Sequence, residues 1–190
     1  MLNRLIYDVA VWLDSQQLST RLHESFYMYN WVETTQVLSL MLSLGMLFLI
    51  DLRILGLALT NVPASKVVRT LNLPMLVGFS IMVITGILLF YAIPVRTAQS
   101  LWFRIKVVLL IAAAVNAVLF HVRMNKSITS WDTNTRAPKN LRVGAAISLV
   151  IWVLVVICGR FIAYDWFDCV YEQSELVNVM AGCVAEQTQF

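Results

Sequence analysis

The sequence predicts an all-α membrane protein: a four-helix transmembrane bundle with an N-terminal amphipathic surface helix and an ordered outer C-terminal tail. Three observations support this fold class. Hydrophobic residues make up 59% of the chain and charged residues only 13%, against about 25% in an average soluble domain. Four apolar runs reach the length of a membrane span. The basic residues gather in two of the segments between these runs.

Residues 1–30 are predicted to form an amphipathic interfacial segment. Apolar and polar residues alternate at helical spacing along its first half, so that they occupy opposite faces of a helix. The apolar set is Leu2, Leu5, Ile6, Val9, Trp12 and Leu13, and the polar set is Asn3, Arg4, Asp8 and Ser15. This helix is too short and too polar to cross a bilayer, so we expect it to lie along the membrane surface.

The transmembrane domain is predicted over residues 31–163, followed by a periplasmic tail over residues 164–190. Its spans cover residues 31–55, 73–93, 101–122 and 143–163. Each is near the roughly 20 residues that a helix needs to cross hydrocarbon, where backbone groups must pair within the segment. Asn30 followed by Glu33 is typical of a capping box that opens the first span, and Pro74 is predicted in the first turn of the second.

The distribution of charge predicts the orientation of the chain. The connections 51–72 and 123–142 contain eight of the fourteen basic residues, whereas the connection 94–100 contains only Arg96. Basic connections stay in the cytoplasm, so we expect both termini on the outer, periplasmic side of the membrane. Aromatic residues flank the opposite ends of the spans, where amphipathic rings favour the interface. They are Phe26, Tyr27, Tyr29, Trp31, Tyr91, Trp102, Phe103, Phe161, Tyr164, Trp166 and Phe167.

Four ionisable residues within the spans are candidate site residues, because charge inside a membrane is costly and often functional. Glu33 and Asp51 share one face of the first span, about 27 Å apart along its axis. In the third span, Lys106 lies near the outer end, at a level comparable with Glu33, and His121 lies near the inner end, at a level comparable with Asp51. We expect an outer pair of Glu33 with Lys106 and an inner pair of Asp51 with His121. The pairs either form part of an ion or cofactor path, or satisfy each other and fix helix register.

His121 is also the candidate ligand of a haem b or a copper ion. The only other histidine, His23, lies in the N-terminal segment, so two histidines within the bundle cannot ligate one haem. Met75 in the second span could face His121, although methionine is also common in helix packing. No Met-x-x-Met or Cys-x-x-Cys cluster is present, so no cofactor is firmly predicted and the metal stays unknown.

The cysteines predict a covalent link in the tail. Cys169 and Cys183 both lie in the segment assigned to the oxidising periplasm, whereas Cys158 lies inside the fourth span. A disulfide is expected there, and the alternative is a thiolate metal site, for which the tail offers no histidine.

Several short patterns are similar to an uncharacterised family of bacterial four-helix inner-membrane proteins, loosely similar to membrane proteins of the copper-resistance D type. They are residues 33–38 (ETTQVL), 51–56 (DLRILG), 116–121 (NAVLFH) and 159–164 (GRFIAY), with 166–169 (WFDC) and 182–183 (GC) in the tail. The resemblance implies a four-helix fold and an inner-membrane location, and it implies no activity. This chain has Gln36 where the family pattern has a histidine, so the resemblance implies no metal role for Gln36.

Three functions follow as hypotheses. The first is a non-catalytic integral membrane subunit that scaffolds or anchors a larger inner-membrane complex, with the small residues of 144–148 available to pack against other subunits or a second copy. The second is a haem- or copper-handling redox protein centred on His121, and the weaker third is a small transporter. The lipid bilayer is the predicted surrounding. A net charge of +3 without a continuous basic patch excludes nucleic acid as a partner.

Overall fold

A computed structural model of the chain describes residues 2–25, 27–132, 134, 136–164, 167–169 and 174–184, without the side chains of 125–130. Regular structure within these ranges is entirely helical. Its helices are α1 (Leu2–Asp14), α2 (Gln17–Glu24), α3 (Met28–Leu55), α4 (Ala64–Ala92), α5 (Pro94–Ala98), α6 (Leu101–Trp131), α7 (Lys139–Ile162) and α8 (Glu175–Ala181). Phe26, Trp166 and the predicted ordered tail beyond residue 184 lie outside the described residues.

Helices α3, α4, α6 and α7 are long and apolar enough to cross a membrane, α6 over Leu101–Met124. The predicted all-α fold with four long apolar helices is therefore confirmed, and the chain has the helices of a multi-pass membrane protein. The N-terminal segment forms two helices, α1 and α2, where one was predicted. The short helices α5 and α8 were not predicted, because neither is long enough to show an apolar period.

Two spans continue past the limits that hydropathy predicts. Helix α4 begins nine residues before the predicted start at residue 73, and α6 ends nine residues after residue 122. Polar side chains such as Ser65 and Lys66 end the apolar run while the backbone hydrogen bonds of the helix continue. Pro74 consequently lies inside α4, and its predicted place in the first turn is wrong.

The start of α3 also differs from the prediction. The helix begins at Met28, whose amide donates a hydrogen bond to the hydroxyl oxygen of Ser25 at 3.2 Å. Ser25 thus satisfies one of the free amides at the helix start, and Asn30 already lies within the helix. The predicted capping box at Asn30 is wrong because an earlier hydroxyl is available.

The chain divides into two compact units. The terminal unit comprises residues 1–35, 84–108 and 155–190, and the loop unit comprises residues 36–83 and 109–154. All the described interface aromatics belong to the terminal unit, and all eight basic residues of the connections 51–72 and 123–142 belong to the loop unit. The predicted segregation of aromatic and basic residues is therefore present in the structure.

The loop unit has an apolar core near the two connections. Ile54 of α3, Ala64 of α4 and Ala145 of α7 are fully buried there. The other buried members are Ile50, Val67, Met124, Trp131, Ala137 and Leu141. Farther from the connections, Gly78 of α4 packs directly against Ser43 of α3, so that a Cβ at Gly78 would overlap the Ser43 hydroxyl.

In the terminal unit, α1 packs on α5. Ala10 of α1 is buried against Val95 and Ala98 of α5. The hydroxyl of Ser19 in α2 donates to the carbonyl oxygen of Tyr91, at the end of α4, at 2.9 Å. The amide of Leu101 donates to the carbonyl oxygen of Phe167 at 3.2 Å, so the chain after α7 returns to the start of α6.

Candidate functional site

The structure does not bring the predicted outer pair together. Glu33 is exposed near the start of α3. The Lys106 amine lies toward α7, 3.6 Å from the position that a Cβ on Gly159 would take. Within the described part of the chain, no ion pair joins Glu33 to Lys106.

The inner pair is also separate. Asp51 is only 3% exposed and accepts a hydrogen bond from Ser148 of α7. Its second oxygen, Oδ2, is buried and has no hydrogen-bond partner among the described residues. His121 is exposed on α6 and forms no ion pair with Asp51 in the ranges that the structure describes.

The small residues of 144–148 are used within the chain. Ala145 is fully buried, and Ser148 is occupied by Asp51. The side-chain amide of Asn116 on α6 donates to the Gly144 carbonyl oxygen at 3.1 Å. Gly144, Ala145 and Ser148 are therefore not exposed to other subunits, because small side chains here allow the helices of one chain to approach each other.

A polar cluster around Arg53 holds the two connections of the loop unit. The Arg53 side chain is 1% exposed, and its Nε donates to the Val62 carbonyl oxygen at 2.7 Å. Its Nη2 donates to the carbonyl oxygens of Asn134 at 3.1 Å and Asp132 at 3.4 Å. One guanidinium thus satisfies carbonyl groups from both connections, a use of its forked donors that lysine cannot reproduce.

Asp132 completes this cluster by capping α4. One carboxylate oxygen accepts a bond from the Ser65 amide at 2.7 Å, and the other accepts one from the Ser65 hydroxyl at 2.6 Å. These bonds, assisted by the charge of Arg53, hold the pKa of Asp132 below its usual range. A carboxylate at a helix start also complements the positive end of the helix dipole.

Arg53 was counted in the sequence only as one of the eight basic residues of the connections, and neither its structural role nor that of Asp132 was predicted. A signal for Arg53 was present, because an arginine within the run Leu52, Ile54 and Leu55 faces burial if the helix continues. For Asp132 there was none, because its partner Ser65 is distant in sequence.

In the terminal unit, Arg104 joins the two ends of the chain. Its Nη1 donates to the side-chain oxygen of Asn3 at 2.9 Å. The Asn3 side-chain amide donates in turn to the Val179 carbonyl oxygen of α8 at 3.3 Å. Gly182 ends α8 with φ of +83°, and a Cβ there would overlap the Arg104 guanidinium, so this position needs glycine for both reasons.

The predicted disulfide is present in the structure. Cys169 and Cys183 are bonded, with their Cα atoms 5.5 Å apart. Cys158 is free and buried. The bond closes the segment that carries α8 and lies beside Gly182, so it supports the contact of the tail with Arg104.

The metal ligands suggested by the sequence do not converge. The described residues contain no group of three or more histidine, cysteine or acidic side chains able to hold a metal ion. Met75 and Phe120 pack against the core of the loop unit, whereas the neighbouring His121 is exposed. A metal or haem at His121 would therefore lie on the outer surface of α6.

One flank of α6 combines small and polar side chains. Ala114, Ala117 and His121 are all exposed, and their spacing of three and four residues places them along one side of the helix. Ala113 and Met124, which lie about 40° and about 20° around the axis from Ala117 on the side away from Ala114, are buried, so the flank borders the packed side of the helix. The exposed flank presents two small side chains with an imidazole at one end.

Comparisons with family models, with curated proteins and with solved structures find no match to this chain. The resemblance to the copper-resistance D type stays a prediction.

Proposed function

We propose that the protein is a non-catalytic integral membrane subunit that anchors a larger complex in the bacterial inner membrane, with both termini in the periplasm. The orientation is supported by the basic residues of the loop unit and the aromatic residues of the terminal unit. The family resemblance agrees with this location.

The observation that carries the proposal is the exposed flank of Ala114, Ala117 and His121 on α6. Small residues let a neighbouring helix approach closely, and polar side chains within a span form hydrogen bonds that lipid tails do not offer. An exposed histidine near the end of a span is costly in lipid and less costly beside a partner helix. This flank is accordingly the contact for a second membrane protein.

The test introduces bulk into the flank. Ala117→Leu adds a bulky side chain to the flank and is expected to remove the companion protein that co-purifies from the native membrane in mild detergent. Ala112→Leu adds the same bulk about 140° away around the same helix, also at an exposed position, and is the matched control. Retention of the companion by Ala117→Leu, or a wild-type protein that purifies as a lone monomer, would reject the proposal.

The orientation is tested separately with an impermeant maleimide. Ser15→Cys in the terminal unit is expected to react in intact spheroplasts, and Asn61→Cys in the loop unit only after the membrane is permeabilised. Both positions are exposed, so the difference reports the side of the membrane. The reverse pattern would place the termini in the cytoplasm.

A haem or copper site at His121 is the second candidate function, favoured by the exposed imidazole. The chain offers one nitrogen ligand at this place, so a second chain would supply another ligand. Absorption spectra and metal analysis of protein from the native membrane test this idea. A haem band or stoichiometric copper that disappears in His121→Ala would support it, and a colourless, metal-free preparation would reject it.

A further inference from the structure

We propose that α1 and α8, the first and last helices of the described chain, form one lipid-binding surface that lies in the interfacial layer of the bilayer. The inference goes beyond the subunit role, since it concerns the terminal unit and needs no partner at α6. It rests on how the structure divides the surface of α1 and on the contacts that orient both helices.

Helix α1 has three faces where its sequence suggests two. Ile6, Tyr7 and Ala10 pack on α5, although Ile6 was predicted to lie with the exposed apolar residues. Leu2, Leu5, Val9 and Trp12 remain between 50% and 70% exposed and lie at spacings of three, four and three residues. We call these four residues the apolar stripe.

The third face of α1 is polar. Arg4, Asp8 and Ser15 are exposed together, about 100° around the helix from the apolar stripe. The packed face lies about 130° from the stripe on its other side. A helix with a protein face, a water face and an apolar face fits the boundary where the bundle, the solvent and the lipid meet.

Hydrogen bonds fix α1 and its neighbours at an end of the spanning helices. Ser19 in the following helix α2 is 1% exposed and bonds the carbonyl oxygen of Tyr91, next to the last residue of α4. Asn3 is held by Arg104, in the first turn of α6. The apolar stripe therefore lies at the level where the spans end, as an interfacial helix requires.

Helix α8 extends this surface. Leu176, Val179 and Met180 are 48–68% exposed on the face opposite the buried Ala181. The bond from Asn3 to the Val179 carbonyl oxygen places this face beside the start of the apolar stripe. The disulfide and Gly182 hold α8 against Arg104, so the two helices are fixed relative to each other.

The net charge of α1 indicates that it binds the apolar part of the interfacial layer rather than anionic headgroups. Helix α1 carries Arg4 against Asp8 and Asp14, a net charge of −1. Attraction to anionic lipid would require an excess of lysine and arginine. Binding therefore depends on apolar contact and is expected to be equal in zwitterionic and anionic bilayers.

The experiment uses the full chain in nanodiscs with single cysteine reporters in a Cys158→Ala background that retains the disulfide. Val9→Cys lies on the apolar stripe, Asp8→Cys on the polar face, and Val179→Cys on α8. Each carries bimane, and quenching is measured with brominated phosphatidylcholine and with aqueous iodide. Leu5→Cys repeats the stripe measurement one turn earlier, in case Val9→Cys disturbs folding.

We expect brominated lipid to quench bimane at Val9 and Val179 severalfold more than at Asp8, with the opposite order for iodide. Replacing half of the lipid with anionic phosphatidylglycerol should leave both results unchanged. Equal iodide quenching at all three positions would overturn the proposal in favour of a surface in water. Protection at Val9 and Val179 from both quenchers would also overturn it and show that protein covers the stripe.

Discussion

At the residue scale, Arg53 is a buried charge whose side-chain donors are bonded to backbone carbonyl oxygens. It donates to carbonyl oxygens of Val62, Asp132 and Asn134, so its removal leaves buried acceptors in both connections. Arg53→Lys keeps the charge but cannot reach three acceptors with one rigid fork. We expect it to lower the free energy of unfolding by about 3 kcal/mol, measured by thermal unfolding in detergent.

The control is Arg69→Lys, at an exposed position of α4 in the same unit. This change preserves the charge where no buried carbonyl depends on the guanidinium, so stability should stay within about 0.5 kcal/mol of the wild type. Equal stability of the two variants would show that the bonds of Arg53 contribute little.

Asp132 predicts a pH dependence. Its pKa is held below the usual value of about 4 by Ser65, so the folded state favours the carboxylate. This stabilisation is fully present above the ordinary aspartate pKa and is lost as pH falls through the lower, folded value. Because the group is partly exposed, we expect the contribution to be under about 1 kcal/mol.

Asp132→Asn removes the titrating group and keeps its shape. The wild type should lose more stability than the variant between neutral pH and about pH 3, measured by tryptophan fluorescence during thermal unfolding. Parallel pH curves for the two proteins would mean that the cap of α4 does not depend on the carboxylate.

At the element scale, the contact of α3 with α4 depends on Gly78. A Cβ there would overlap the Ser43 hydroxyl, which is buried and bonded to the Ser39 carbonyl oxygen at 2.6 Å. Gly78→Ala must therefore break that bond or separate the helices. We expect a loss of about 1–3 kcal/mol in unfolding free energy, measured in detergent.

Two further variants isolate this contact. A Cβ at Gly45 meets no atom within 4 Å, so Gly45→Ala should be neutral or stabilise by up to about 1 kcal/mol. Adding Ser43→Ala to Gly78→Ala removes the overlapping oxygen and should recover part of the loss. If the double variant is no more stable than the sum of the singles, steric overlap is not the cause.

The elements show what hydropathy can and cannot predict. The four spans were predictable, since no other arrangement buries such long apolar runs with their backbone groups paired. Their ends were not, because they depend on hydrogen bonds from outside the apolar run. Ser25 starts α3 and the distant Asp132 caps α4, whereas the apparent signals at Asn30 and Pro74 fall inside helices.

At the scale of the whole molecule, the sequence predicted that the basic residues of the connections and the aromatic residues separate, and in the structure these two sets fall in different units. The direction in which an individual side chain points could not be predicted in the same way. The rotation of α6 about its axis decides whether His121 meets Asp51 or the outside, and hydropathy is similar around most of that helix. The structure exposes His121 and gives Asp51 the hydroxyl of Ser148.

The disulfide predicts how the stability of α8 differs from that of the spanning helices. Cys169 and Cys183 are 14 residues apart, and a loop of this length contributes about 3 kcal/mol in the chain-entropy model. Because the bond closes only the tail, its loss should act there and spare the spans. In Cys169→Ala/Cys183→Ala, the amides of α8 should exchange with deuterium roughly 100-fold faster, as measured by mass spectrometry.

Amides of α3 around Ile54 are the internal control, because this residue is buried in the loop unit. Their exchange should match that of the wild type. Equal acceleration in α3 and α8 would show that the disulfide stabilises the whole fold. Unchanged exchange in α8 would show that Arg104 and Asn3 hold the tail without it, because these contacts include no sulfur atom.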